Sequence, residues 1–231
     1  MTVNWLRRTC VLAALASAAL LAACGSGTIE SQLRPSRIIS FGDGLSDVGQ
    51  TSNAQIANAR YTVNDGSTNI WAQQLAASYG LPLTSAASGG LGFAQGNARV
   101  VEATDAAGGT APSIKAQIDA FLASGSFGAN DLVLVNGGIS DIVAQTEAFR
   151  AGALTSEQLL VNVDQAGKDL GAQVRRLVSA GAKFVVVVGA YGLGKSPYAS
   201  DIGQTALLDK LSFAGESGIN RPRSFNEALL T

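Results

Sequence analysis

Asp131-Leu-Val-Leu-Val-Asn136 and Lys183-Phe-Val-Val-Val-Val188 decide how this chain folds. Neither run alternates apolar with polar residues, so each reads as a strand buried on both faces. Between them, Ser156 to Ala180 carries Leu160, Val163, Leu170, Val174 and Leu177 at helical spacing, with Ser156 placed to cap its start and Gly181 to end it. Strand, amphipathic helix, strand predicts a parallel sheet covered on both faces. Working outward, Arg37-Ile-Ile-Ser-Phe41 predicts another strand, closed by a Gly-Asp turn signal. Ser67 to Tyr79 predicts a helix with Trp71 and Tyr79 in its core face, and Pro112 to Ala123 predicts a second. Arg175 and Arg176 read as a solvated helix face. Sheets of this kind bind ligands in the crevice beyond the carboxyl ends of their strands. The informative residues are therefore those after Phe41, Val135 and Val188, with Tyr191 a candidate crevice wall. Ser85 to Gly109, small and glycine-rich, reads as a long functional loop.

Composition narrows the chemistry. The chain has 231 residues, 47% hydrophobic and 14% charged, enough to build a core and too apolar for disorder. A net charge of −1 leaves no basic footprint, so no nucleic-acid partner is expected. Two cysteines make no disulfide framework and no cysteine-rich zinc site. There is no histidine. These residues therefore contain no Ser-His-Asp triad, no Cys-His dyad, no histidine-ligated metal and no imidazole proton shuttle. No cofactor is implied.

The N-terminus reads as an address. Arg7 and Arg8 precede an apolar run, Cys10 to Leu21, that falls short of the roughly 20 residues a spanning helix needs. Leu21-Ala22-Ala23-Cys24-Gly25 follows and resembles the bacterial lipobox. The resemblance implies cleavage before Cys24, lipidation of that cysteine, export and anchoring to a bacterial membrane, with the domain facing the periplasm or cell surface. Several acyl chains on one residue anchor stably where one does not. The alternative is an ordinary signal peptide with an incidental cysteine. Cleavage at this point leaves 14 basic against 17 acidic residues and no free thiol.

Three short blocks lie at or near predicted strand ends. They are Phe41-Gly-Asp-Gly-Leu-Ser-Asp-Val-Gly49, Gly92-Phe-Ala-Gln-Gly-Asn-Ala-Arg-Val100 and Asn136-Gly-Gly-Ile-Ser-Asp141. Their order and spacing resemble the SGNH, or GDSL, hydrolase family of esterases and lipases. The likeness runs from about Arg37 to the C-terminus and takes in Thr62 to Trp71 and Leu193-Gly-Lys-Ser-Pro197. It implies an α/β fold: a three-layer α/β/α sandwich with a parallel, flavodoxin-like sheet, here truncated at its C-terminus. The expected organisation is a lipoprotein signal peptide over residues 1–23, a lipidated tether over 24–36 and an SGNH/GDSL-hydrolase-like domain over 37–231.

The resemblance also implies a chemistry, Ser-His-Asp hydrolysis of acyl esters. In it a first-block serine attacks, and its own N–H, a second-block glycine N–H and a third-block asparagine side chain hold the oxyanion. Gly42, Asp43, Leu45 and Ser46 match the first block, but the nucleophile position is Gly44. The second-block glycine falls on Asn97, a residue type tolerant of left-handed backbone. Gly138 and Asp141 match the third block, while its asparagine position is Ser140. The late D-x-x-H segment that supplies the base is missing. Ser46 is a substitute nucleophile or, as commonly, a helix cap. Asp43, Asp47 and Asp141 are either a cation cluster or turn and cap residues. The expectation is an ester hydrolase by resemblance, with an acyl ester or lipid as ligand and hydrolysis not expected of this chain. The alternatives are a catalytically dead, membrane-tethered binding module that keeps its crevice, or a truncated gene product.

Overall fold

The computed structural model describes residues 33–50, 69–213 and 222–231. The signal-like segment, Cys24 and Thr62 to Gly66 lie outside them. Among the described residues three parallel strands form one sheet: β1 (Arg37–Phe41), β2 (Asp131–Asn136) and β3 (Phe184–Val188), in the order β1-β2-β3. Arg37 pairs with Asp131 and Phe41 with Val135, and Leu132 pairs with Phe184 and Asn136 with Val188. All three strands therefore end at one edge of the sheet.

Seven helices surround them among the described residues: α1 (Trp71–Ser78), α2 (Ile114–Ser124), α3 (Ile139–Arg150), α4 (Ser156–Ser179), α5 (Pro197–Asp201), α6 (Thr205–Ser212) and α7 (Phe225–Leu229). None is long and apolar enough to cross a membrane. The fold is mixed α/β, with a parallel sheet as its centre.

Helix α4 is the longest. Leu159, Val163, Ala166, Leu170 and Leu177 form its buried stripe, at the spacing that keeps one helical face inward. Its cap is Thr155 rather than Ser156: Thr155 Oγ1 accepts the Gln158 N–H at 3.2 Å, and Gln158 Oε1 accepts the Thr155 N–H at 2.8 Å. This reciprocal pair satisfies two N–H groups at once, which the neighbouring serine is one residue too late to do. Gly167 lets α7 lie directly across α4, because a Cβ at residue 167 would stand 2.4 Å from the Phe225 carbonyl oxygen.

The core between helices and sheet includes Ile39, Val133, Val135, Ile114, Ile118 and Leu170. Phe41 at the end of β1 stacks on Phe93 at 5.4 Å, and both meet the edge of Phe121 at 5.8 Å. That aromatic trio fastens α2 and the 85–109 loop to the sheet.

Three expectations need correction. β3 is not buried: Phe184, Val186, Val187 and Val188 are each about two-fifths exposed. It is an edge strand, and an apolar run records what a strand is made of, not what lies beside it. The predicted helix over 67–79 begins at Trp71, and Tyr79, its C-cap, is 39% exposed; Ala72 and Ala76 face the core instead. Arg175 is exposed, but Arg176 reaches across to pair with Asp119 on α2. Helix α3, which the sequence did not announce, turns out to carry the site.

Candidate functional site

The ends of the three strands are tied down by side-chain amides. At β1, the Gly42 N–H donates to Gln117 Oε1 at 2.8 Å, and Gln117 Nε2 returns a hydrogen bond to the Gly42 carbonyl at 2.9 Å. Beyond β3, the Ala190 N–H donates to Asn226 Oδ1 at 2.9 Å, and Asn226 Nδ2 donates to the Ala190 carbonyl at 2.7 Å. At β2, the side-chain amide of Asn136 donates to Asp43 Oδ1. Each bond satisfies backbone or carboxylate groups that the sheet has no further strand residue to pair. The loops carrying Asp43, Ser140 and Tyr191 thus leave the sheet from fixed points.

Gly138 turns the chain from β2 into α3. Its φ of +106° is unfavourable for a residue with a Cβ, and that Cβ would stand 2.3 Å from the Phe225 ring. Phe225 consequently packs against the start of α3. Ile139 and Ser140 open the helix, whose first N–H groups have no partner within it.

The structure brings Gly44, Asn97 and Ser140 to one crevice of about 260 Å³, together with Asp43, Leu45, Ala106, Ile139, Val143 and Tyr191. Gly44 opens a short 3₁₀ turn (Gly44–Ser46) capped by Asp43, whose Oδ1 accepts the Leu45 N–H at 3.2 Å. Asn97 takes the left-handed conformation, φ +64°. Ser140 sits in the first turn of α3. Ser46 does not line the crevice: it is fully buried and its Oγ accepts the Trp71 indole N–H at 3.1 Å. A larger depression of about 620 Å³, beyond Tyr191 and bordered by Lys195, Asp209 and Phe213, has none of these motif positions in its wall.

The three aspartates form no cation cluster, and no group of three metal-ligating side chains occurs among the described residues. Asp47 Oδ1 accepts the N–H groups of Gly49 and Gln50, and its Oδ2 accepts that of Gly96 at 2.8 Å. This ties the first block to the second. Asp141 ties the second to the third: its Oδ2 accepts the Val100 N–H at 2.9 Å and its Oδ1 pairs with Arg99 Nε at 3.2 Å. Burial nevertheless lifts Asp141 to about 6, against the pull of Arg99 and the Val100 N–H and with help from the negative charge of Asp43.

Asp43 is the unusual member. It is 2% exposed, and its Oδ2, closed to solvent, has no hydrogen-bond partner among the described residues. Burial raises its carboxyl above the ordinary range, opposed by the Leu45 N–H, the Asn136 amide and the N–H of Ile139. The Tyr191 hydroxyl is raised too, by burial and by the charge of Asp43. An acceptor buried without a partner costs about 1–3 kcal/mol, which a folded protein seldom carries without use. Among the described lining residues there is no lysine or arginine.

Sequence reasoning quoted Gly44, Asn97, Ser140 and Tyr191, but missed Ile139, Val143 and Ala106 as wall residues. The i, i+4 spacing of Ile139 and Val143 after a Gly-Gly turn was the available signal. Chemically, the crevice offers the start of α3 and the residues Ser140 and Tyr191, which carry hydroxyls. It offers no nucleophile at residue 44. The chain matches no protein-family model, and a comparison with curated proteins finds no match either.

Proposed function

We propose that this chain is an SGNH/GDSL-like domain that binds an acyl ester or lipid in the crevice at its strand ends and does not hydrolyse it. The finer architecture proposed with it is a three-layer α/β/α sandwich with a flavodoxin-like sheet, tethered to a bacterial membrane through a lipidated Cys24. One observation carries the reading: Gly44, Asn97 and Ser140, far apart in sequence, line one small crevice. Apolar walls from Leu45, Ile139 and Val143 suit an acyl chain, and the first N–H groups of α3 suit its carbonyl. A glycine at residue 44 removes the hydroxyl that acyl transfer at that position requires, whatever base is present, and the Ser46 hydroxyl of the same block is buried against Trp71.

Titration calorimetry of the full chain with ethyl butyrate, followed by assay for free butyrate, tests the reading. Binding heat without butyrate release above the buffer rate is expected. Absence of heat removes the binding function, and release of butyrate removes the claim of inactivity. The anchor is tested by growth with a labelled fatty acid: the label is expected on the native chain and absent from Cys24→Ser. An unlabelled native chain rejects the anchor.

A further inference from the structure

We infer that Tyr191 limits the crevice to short acyl chains, as the partition between the crevice and the larger depression beyond it. The inference rests on the crevice being the ester site, as proposed above, and adds which esters it takes. Among the described residues, Tyr191 is the one that lines both cavities, the crevice of about 260 Å³ and the depression of about 620 Å³. Its place in the chain is fixed, because the residue before it, Ala190, is tied to Asn226 through both its N–H and its carbonyl. Burial and the charge of Asp43, a crevice wall residue, both act on the Tyr191 hydroxyl. The ring therefore reaches toward the crevice and does not simply stand out into solvent.

Volume sets the length. In a liquid each heavy atom takes about 30 Å³, the share of a water molecule. Ethyl butyrate, with its eight heavy atoms, then fills the crevice. A longer acyl chain must pass Tyr191 or turn out into solvent, where further methylenes bury nothing and add no affinity. The far side of the partition suits such a chain. Phe213, the C-cap of α6, is 56% exposed there. Gly192 keeps the floor clear, since a Cβ at residue 192 would touch Asp209 Oδ1 at 3.7 Å and the Phe213 ring at 3.8 Å. Removing the Tyr191 ring joins the two cavities.

Titration calorimetry of the full chain with ethyl butyrate, ethyl hexanoate and ethyl octanoate reads the partition. Native affinity is expected to level off after butyrate. In Tyr191→Ala it is expected to climb toward about fourfold per added methylene, so that octanoate binds about tenfold or more tightly than butyrate. Tyr191→Phe keeps the ring and is expected to level off like the native chain. A native affinity that climbs through octanoate overturns the inference and leaves the proposed binding function standing. So does a folded Tyr191→Ala that still levels off, or a Tyr191→Phe that climbs, which would assign the limit to the hydroxyl. A gain in Tyr191→Ala from octyl acetate with none from ethyl octanoate overturns the placing of the acyl chain against Tyr191. Absence of native binding by all three ethyl esters overturns the binding function and the inference with it. Should Tyr191→Ala not fold, Tyr191→Leu opens a narrower gap and is judged by the same outcomes.

Discussion

Asp141 shows how a single residue sets the conditions under which the site is held together. Its carboxyl is 2% exposed and joins the 97–100 loop to α3 through Val100 and Arg99. Two hydrogen bonds and a cation still do not offset burial, and the group titrates at about 6 instead of the ordinary 3.8. The folded chain therefore holds this proton more tightly than the unfolded chain does. The group favours folding below its ordinary value, and that advantage is lost as the pH rises through about 6. The gap corresponds to roughly 3 kcal/mol. Asp105, Asp119, Asp131 and Glu147 are all held low and act in the opposite direction, so the whole chain does not display the effect directly. Asp141→Asn isolates it. Urea unfolding of both proteins across about pH 4 to 7 is expected to show native minus variant stability falling as pH rises. A difference that stays flat over that range refutes the assignment. Asn97 is the second residue of note. At φ +64° its backbone occupies a region that costs most L-residues about 1–2 kcal/mol, and asparagine is among the few that enter it readily. The loop thus keeps its shape at a position where the resembled family uses glycine.

At the scale of elements, legibility followed how much of each element's burial is apolar. β1 and β2 were readable residue for residue, because Ile38, Ile39, Leu132, Val133, Leu134 and Val135 are buried and bounded by turn signals. α4 was readable to within a residue from its stripe. α3 was not, and its buried face explains why: it consists of Ser140, Asp141, Ile142 and Thr146, three polar residues in four. A hydrophobic period cannot register a face that is polar by composition. That same polarity makes α3 part of the site. The amide ties from Gln117 and Asn226 were equally invisible, since each is one polar residue in a helix whose partner lies 75 or 36 residues away. The candidate positions Gly44, Asn97 and Ser140 were reached only through the resemblance drawn from the sequence, because neither periodicity nor turn chemistry marks them. The unpaired Oδ2 of Asp43 was not legible, because an unused hydrogen-bond site is a property of neighbours in space.

At the scale of the whole molecule, the sheet is asymmetric. β1 continues toward the 85–109 loop through isolated bridges from Ser40 and Ser85 to Gly92. On the other side, no strand among the described residues pairs with the outer edge of β3. Phe184, Val186, Val187 and Val188 are exposed there, and the strand itself carries no charged residue, Lys183 standing just before it. A β-branched, uncharged edge is a template for pairing with another chain, and natural edges are usually blunted by an inward or exposed charge. Val185 packs against the core cluster, whereas Val186 is 40% exposed and is not among the residues packed there. A charge at residue 186 therefore meets solvent rather than the core, and surface changes of this kind alter stability by about 0.5 kcal/mol or less. Val186→Lys is expected to lower light scattering and delay the onset of precipitation on concentration, with the thermal midpoint nearly unchanged. Ester binding in the crevice is expected to survive, because Val186 lies two residues inside the strand end and lines no part of the crevice. A variant that aggregates as readily as the native chain shows that this edge is not what limits solubility.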